Sequence, residues 1–117
     1  MREAALEMLG RVDRPSAIFA ANDITAIEIM RVAAELGLDV PGELSIIGFD
    51  DIPEASKSIP ALSTVRQPMQ MLGAEAARLL LALMQGETPD ATHITLPTRL
   101  VPRATTAPPR MTGPAIR

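Results

Sequence analysis

Ala17-Ile18-Phe19-Ala20-Ala21-Asn22-Asp23 and Leu44-Ser45-Ile46-Ile47-Gly48-Phe49-Asp50-Asp51 are the two stretches that decide the fold. Each starts as a short run that is apolar on both faces, the pattern of a strand buried between helices, and each ends at once on polar residues. Between them Ile27, Met30 and Ala33 or Ala34 recur every three or four positions up to Leu36, and Gly37 and Pro41 close the helix. Strand, helix and strand in this order make one β-α-β unit over 17–51, whose right-handed crossover leaves its two strands parallel. Asn22-Asp23 and Asp50-Asp51 therefore emerge at the same carboxyl edge of the sheet, where open α/β sheets bind ligands.

Outward from this unit, residues 2–9 place Ala5, Leu6, Met8 and Leu9 at helical spacing before Gly10. Pro41-Gly42 makes the turn into the second strand. Ser63–Gln67 reads as a shorter third strand, with Pro60 before it and Pro68 at the first position of the next helix. That helix, Met69–Gln85, is apolar around most of its circumference and must be buried. His93–Val101 is extended but interrupted by Pro97, and the Pro, Thr and Ala content from Pro102 reads as a disordered tail.

A chain of 117 residues has room for one core. With 47% hydrophobic residues, two Phe and no Trp or Tyr, that core is aliphatic, which suits α/β layers. The absence of Cys excludes disulfides, zinc-thiolate sites and cysteine nucleophiles, and fits a cytoplasmic location. Residues 1–14 lack the apolar centre of an export signal, and the run Leu79–Met84 is far short of a membrane span. A net charge of −3 without a basic stripe excludes direct DNA binding by these residues, although Arg99, Arg103, Arg110 and Arg117 make the tail locally positive. No dinucleotide, phosphate-loop, zinc-protease or nucleophile-elbow motif is present, so no catalytic residue, metal or cofactor is expected. A phospho-acceptor receiver domain would need a Lys at a later strand end near the Asp pair, and Lys57 lies in the following helix or loop.

The candidate site residues each have a plainer reading. Neighbours on a strand point to opposite faces, so at most one of Asp50 and Asp51 addresses a ligand; Asp51 could instead cap a short helix and Asp50 order the turn. Asn22 and Asp23 precede a helix, where capping is the usual role. Against this stands the convergence of two polar pairs on one ligand edge, where a polyhydroxylated ligand finds donors and acceptors side by side. His93 reads as a surface residue, the Met residues as core filler, and Lys57 as solvated.

Ala17–Asp23, the helix end Glu35-Leu36-Gly37, Val40-Pro41 and Ser45–Asp51 together resemble the lactose-repressor/galactose-repressor (LacI/GalR) family. Pro60-Ala61-Leu62-Ser63-Thr64-Val65-Arg66-Gln67-Pro68, Leu72-Gly73 and Leu96–Arg103 follow in the family's order and spacing, so the resemblance runs from about Met1 to Thr106. It implies an α/β fold, a parallel-sheet three-layer sandwich of the periplasmic-binding-protein-like type I kind, of which this chain is a C-terminal fragment. Residues 1–67 then form the C-terminal lobe of the effector-binding core, 68–96 a helix and strand crossing to an N-terminal lobe outside this chain, 97–106 a return strand and 107–117 a disordered tail. The implied function is effector binding and dimerisation in an allosteric transcriptional repressor, the effector being a sugar or, second, a purine. The resemblance assigns effector contact to Asn22 and Asp50, with Gln67 weaker, and leaves Asp23 a structural neighbour. It places a homodimer surface on Ile24, Ile27, Arg31 and Ser58, and DNA contact on a helix-turn-helix outside these residues. The alternative is a periplasmic sugar-binding protein fragment of an ABC transporter, which shares the core fold.

Overall fold

The computed structural model describes residues 1–110, which fall into two units. The first contains α1 (Arg2–Leu9), β1 (Ala17–Phe19), α2 (Asp23–Glu35), β2 (Ser45–Asp50), α3 (Pro53–Lys57) and β3 (Ser63–Arg66), together with the described residues from Leu100. The second, Gln67–Arg99, contains α4 (Met69–Met84) and the segment after it; β4 (Arg99–Val101) starts on its last residue.

The sheet runs in the order β1-β2-β3-β4. β1 pairs in parallel with β2, Ile18 opposite Ile46 and Phe19 opposite Ile47, and β2 in parallel with β3, Gly48 opposite Thr64 and Asp50 opposite Arg66. Side chains alternate across a strand, so Ile46, Gly48 and Thr64 share one face, and all three are buried. α2 covers that face with Ala26, Ile29, Met30, Val32 and Ala33. Of the expected stripe Met30 and Ala33 are buried but Ile27 is only half-buried, and Ala26, Ile29 and Val32 complete the buried face. Ala5 and Leu9 of α1 complete the cluster. The opposite face, carrying Phe19, Ile47, Phe49 and Val65, is half-open, and Phe19 is 66% exposed. β1 reads as a strand between two helical layers; in the first unit α2 covers one face of the sheet, and on the other Phe19 keeps an edge-to-face contact with Phe49 at 6.4 Å.

The chain after β4 is stitched into the first unit. Thr105 is fully buried beside the start of β2, with Ile46 N–H donating to its carbonyl at 2.8 Å. Its hydroxyl donates to the Ile46 carbonyl at 2.6 Å and accepts from Ser63 N–H at 2.9 Å. Ala107 exchanges two hydrogen bonds with Ser45, each 3.1 Å, so the content that reads as a loose tail from Pro102 is ordered by the sheet's own polar groups at least this far. Residues 111–117, the rest of that expected tail, lie outside the described residues.

The second unit is α4 with residues 92–96 alongside it, Thr92, Ile94 and Leu96 facing Leu72, Ala76 and Leu79. His93–Leu96 does not form the expected strand, because a strand needs a neighbour for its backbone groups and this unit offers one helix. No residue of α4 is buried.

Two glycines separate steric need from backbone need. A Cβ on Gly48 would stand 2.2 Å from the Asp23 carboxylate and 3.2 Å from Asp23 Cα, inside the packed core. Gly37 has φ +72° with nothing near it. Gly48→Ala is predicted to destabilise the first unit by about 3 kcal/mol through overpacking, and Gly37→Ala by about 1 kcal/mol through left-handed strain alone. Urea unfolding of the two variants measures the difference; equal losses would contradict the close approach at Gly48.

Candidate ligand-binding edge

Asn22 and Asp50 are brought to one edge by register. Phe19 pairs with Ile47, and Asn22 and Asp50 each come three residues later, at the carboxyl ends of adjacent parallel strands. Ala20 N–H still donates to the Ile47 carbonyl at 2.9 Å, holding β1 to β2 up to the point where the chain turns into α2.

Asn22 is the N-cap of α2, with extended backbone and Oδ1 accepting from Thr25 N–H at 2.8 Å. This satisfies one of the orphan donors of the first turn. Capping occupies the amide oxygen and leaves the NH2 end, half-exposed, without a partner among the described residues. The capping and ligand readings are therefore compatible, because they use different atoms of one side chain.

Asp23 is fully buried. Its Oδ2 accepts from Ile52 N–H at 2.9 Å and its Oδ1 from the Thr64 hydroxyl at 2.5 Å. It stands in the first turn of α2, where the helix dipole favours an anion. One carboxylate thus joins the start of α2, the loop after β2 and the middle of β3, above the space that Gly48 leaves open.

Asp50 and Asp51 both have positive φ, 111° and 60°. Asp tolerates the left-handed region better than most residues, yet two in succession at a strand end make a strained turn, a feature that concentrates at functional sites. Asp51 does not cap α3, whose N-cap is Ile52 and receives no side-chain bond. It is instead 5% exposed and held by two arginines, Arg66 Nε donating to Oδ2 at 2.5 Å and Arg103 Nη2 to Oδ1 at 2.6 Å. Burial alone would raise its pKa, but the hydrogen bonds from Arg103 and Arg66, with their charges, outweigh burial and hold it below the usual carboxylate value.

Gln67, the third candidate, opens the second unit, whereas Asn22 and Asp50 belong to the first. Sequence reasoning missed Thr64, Arg103 and Thr105. Their partners lie 41, 52 and 59 residues away, beyond any periodic signal. The four residues assigned to a homodimer surface line one concavity of about 660 Å³, together with Ile52 and Pro53. Ile24 is 67% exposed there. The Ser58 hydroxyl is committed within the chain, accepting from Leu62 N–H at 3.1 Å and lying within 3.0 Å of the Ala55 and Pro60 carbonyls.

The Asp51 ion pairs give the fold a pH dependence of known sign. A folded-state pKa below the unfolded value of about 3.9 means stability that is complete above that value and lost as pH falls through the folded pKa. Asp51→Asn is expected to cost about 2–3 kcal/mol at pH 7, the half-exposed Arg66 keeping the loss below that of a fully buried pair. The gap between wild type and variant should close as pH falls through the acid range below about 4. Urea unfolding midpoints from pH 7 to pH 3 measure it; a constant gap would show that Asp51 acts by shape and not by charge.

The comparisons with known proteins agree with this architecture. Residues 1–106 match the family of periplasmic binding protein-like domains. The chain is 39% identical over 107 residues to a lactose operon repressor of Rhizobium radiobacter, covering 92% of this chain and 94% of that protein. Among solved structures, a Lac repressor dimer bound to operator and the anti-inducer ONPF superposes with TM-score 0.79 at 37% identity, over 89% of this chain and 36% of that one. A complex of the transcriptional regulator CelR with cellobiose superposes with TM-score 0.82 at 34% identity, over 89% of this chain and 32% of that one. The chain thus spans about a third of either structure. No helix among the described residues is long and apolar enough to cross a membrane. With the parallel sheet, the polar strand ends at its carboxyl edge and the matched residues in one order, the chain belongs to the periplasmic binding protein-like domain family, in its LacI/GalR group of repressors.

Proposed function

We propose that this chain is the effector-binding and dimerisation part of a cytoplasmic transcriptional repressor that senses a small sugar. The observation that carries the reading is that Asn22, capping α2, and Asp50, ending β2, come at the carboxyl ends of two adjacent parallel strands, with Asp50 in a strained conformation. A carboxylate accepts from sugar hydroxyls, and the amide NH2 of Asn22, spared by capping through Oδ1, donates to a sugar oxygen. Gln67 is a third candidate by resemblance. The cellobiose complex of a relative supports the sugar class, and the operator-bound dimer of another supports a repressor. In this reading the ligand shifts the population of two arrangements of the whole protein, and so the spacing of DNA-binding segments carried outside these residues. No catalysis is involved.

Self-association belongs to the concavity lined by Ile24, Ile27, Arg31 and Ser58. Of these Ile24 is the cleanest probe: it is exposed, whereas Ile27 also packs on the core. A self-complementary twofold patch needs such free apolar area beside a charge.

Calorimetric titration with a panel of mono- and disaccharides that includes cellobiose tests the first part. Asp50→Ala is predicted to weaken binding about 10- to 100-fold through loss of charge-assisted hydrogen bonds; unchanged affinity would remove Asp50 from the site, and silence across the panel would remove the sugar class. For the second part, Ile24→Asp is predicted to lower the sedimentation-equilibrium mass toward that of a monomer. A variant that associates as wild type does would place the interface elsewhere.

A further inference from the structure

The chain leaves the first unit between Arg66 and Gln67 and re-enters it between Arg99 and Leu100. Both connections are rooted on the same carboxylate. Arg66 is the last residue before the departure, and Arg103 lies just after the return; each donates to a different oxygen of Asp51. Arg103 is further fixed at the start of β3, its Nη1 donating to the Leu62 carbonyl at 2.8 Å and its N–H to Ser63 Oγ at 2.9 Å. Asp51 itself is the second residue of the strained turn that presents Asp50. A left-handed pair of non-glycine residues persists only where its surroundings over-determine it, and the two-arginine anchor supplies that constraint. Removing the carboxylate also leaves two cations facing each other with no anion between them.

We propose that Asp51 is a positioning residue that holds the Asp50 turn and the roots of both connections as one node, so that occupation of the ligand edge is coupled to the setting of the two connections. The coupling to a ligand rests on the sugar-binding reading above; the node itself does not. A ligand drawn onto Asp50 pulls on its neighbour Asp51, and any displacement reaches Arg66 and Arg103 through bonds that are short and charged. Such a node gives two chain connections one setting instead of two independent ones.

Hydrogen–deuterium exchange on the full chain tests it. In Asp51→Asn, exchange should rise about tenfold or more in peptides over 50–52, 64–66 and 100–103, while 26–33 in α2 stays within about twofold of wild type. Arg66→Gln, at a half-exposed side chain, should raise exchange over 50–52 and 64–66 and spare 100–103. A uniform rise that includes α2 would reduce Asp51 to a generic stabiliser, and a rise at one connection only would dissolve the shared node. Should Asp51→Asn fail to fold, the Arg66→Gln pattern decides alone: unchanged exchange over 50–52 overturns the proposal. Where a sugar of the panel binds, it should protect both connection roots in the wild type and lose that effect in Asp51→Asn. Silence of every sugar removes the ligand reading and leaves the exchange result to judge the node.

Discussion

Asp23 carries a whole carboxylate out of water, and the first unit is arranged around satisfying it. A buried anion costs several kcal/mol unless its surroundings replace the lost hydration. Here the replacement comes from three separate elements: the first turn of α2 by its dipole, Ile52 by a backbone N–H, and Thr64 by a hydroxyl. Each partner must reach the same few cubic ångströms, so α2 is drawn against β2, and β2 must carry a glycine where the carboxylate passes over it. Asn22, one residue earlier, inherits its position from that anchorage. Asn22 caps the same helix through Oδ1 alone, which leaves its amide NH2 available.

The C-terminal return performs the corresponding task at the other end of the strands. β2 and β3 pair from Ile47 with Ser63 upward, so Ile46 would lack a partner on that side. Thr105 supplies one, presenting carbonyl and hydroxyl to Ile46 and its hydroxyl again to Ser63. Ala104 N–H adds a bond to the Ala61 carbonyl at 2.9 Å. Polar side chains are thus buried here without any unsatisfied atom among the described residues. The sheet is completed by chain that returns about 40 residues after β3, a long-range closure whose entropic cost only a dense set of bonds can offset.

How much of this was legible depends on the range of the signal. The elements governed by local period and punctuation were readable: α1 before Gly10, α2 before Gly37, and β1 and β2 as short apolar runs ending on polar pairs. The shared edge followed from chirality and chain order, and β1 and β2 do pair in parallel, with Asn22 and Asp50 at their carboxyl ends. What escaped was set by partners remote in sequence. Asp51 looked like a helix cap because its neighbours permit that role; nothing local announces Arg103, 52 residues on. Ile27 lies on the sequence stripe yet only borders the core, because the strand beneath selects Ile29 and Met30. His93–Leu96 has the composition of a strand and lacks the neighbour that makes one.

α4 shows the limit of the same reasoning from the other side. Its composition demands burial, and the structure gives none: Met69, Met71, Leu72, Leu80, Leu81, Leu83 and Met84 are all at least 40% exposed. Burying a large side chain contributes roughly 1.5–3 kcal/mol, so even half that value across seven residues rivals a small domain's whole stability of about 5–15 kcal/mol. The first unit does not share this debt, since its buried apolar side chains, twelve among the described residues, form one cluster of their own. Covering α4 is therefore a separate demand from building the edge that carries Asn22 and Asp50. Substitutions at Asp23, Gly48 or Thr105 act on the fold that presents Asn22 and Asp50, whereas substitutions along α4 act on whatever apolar surface meets it.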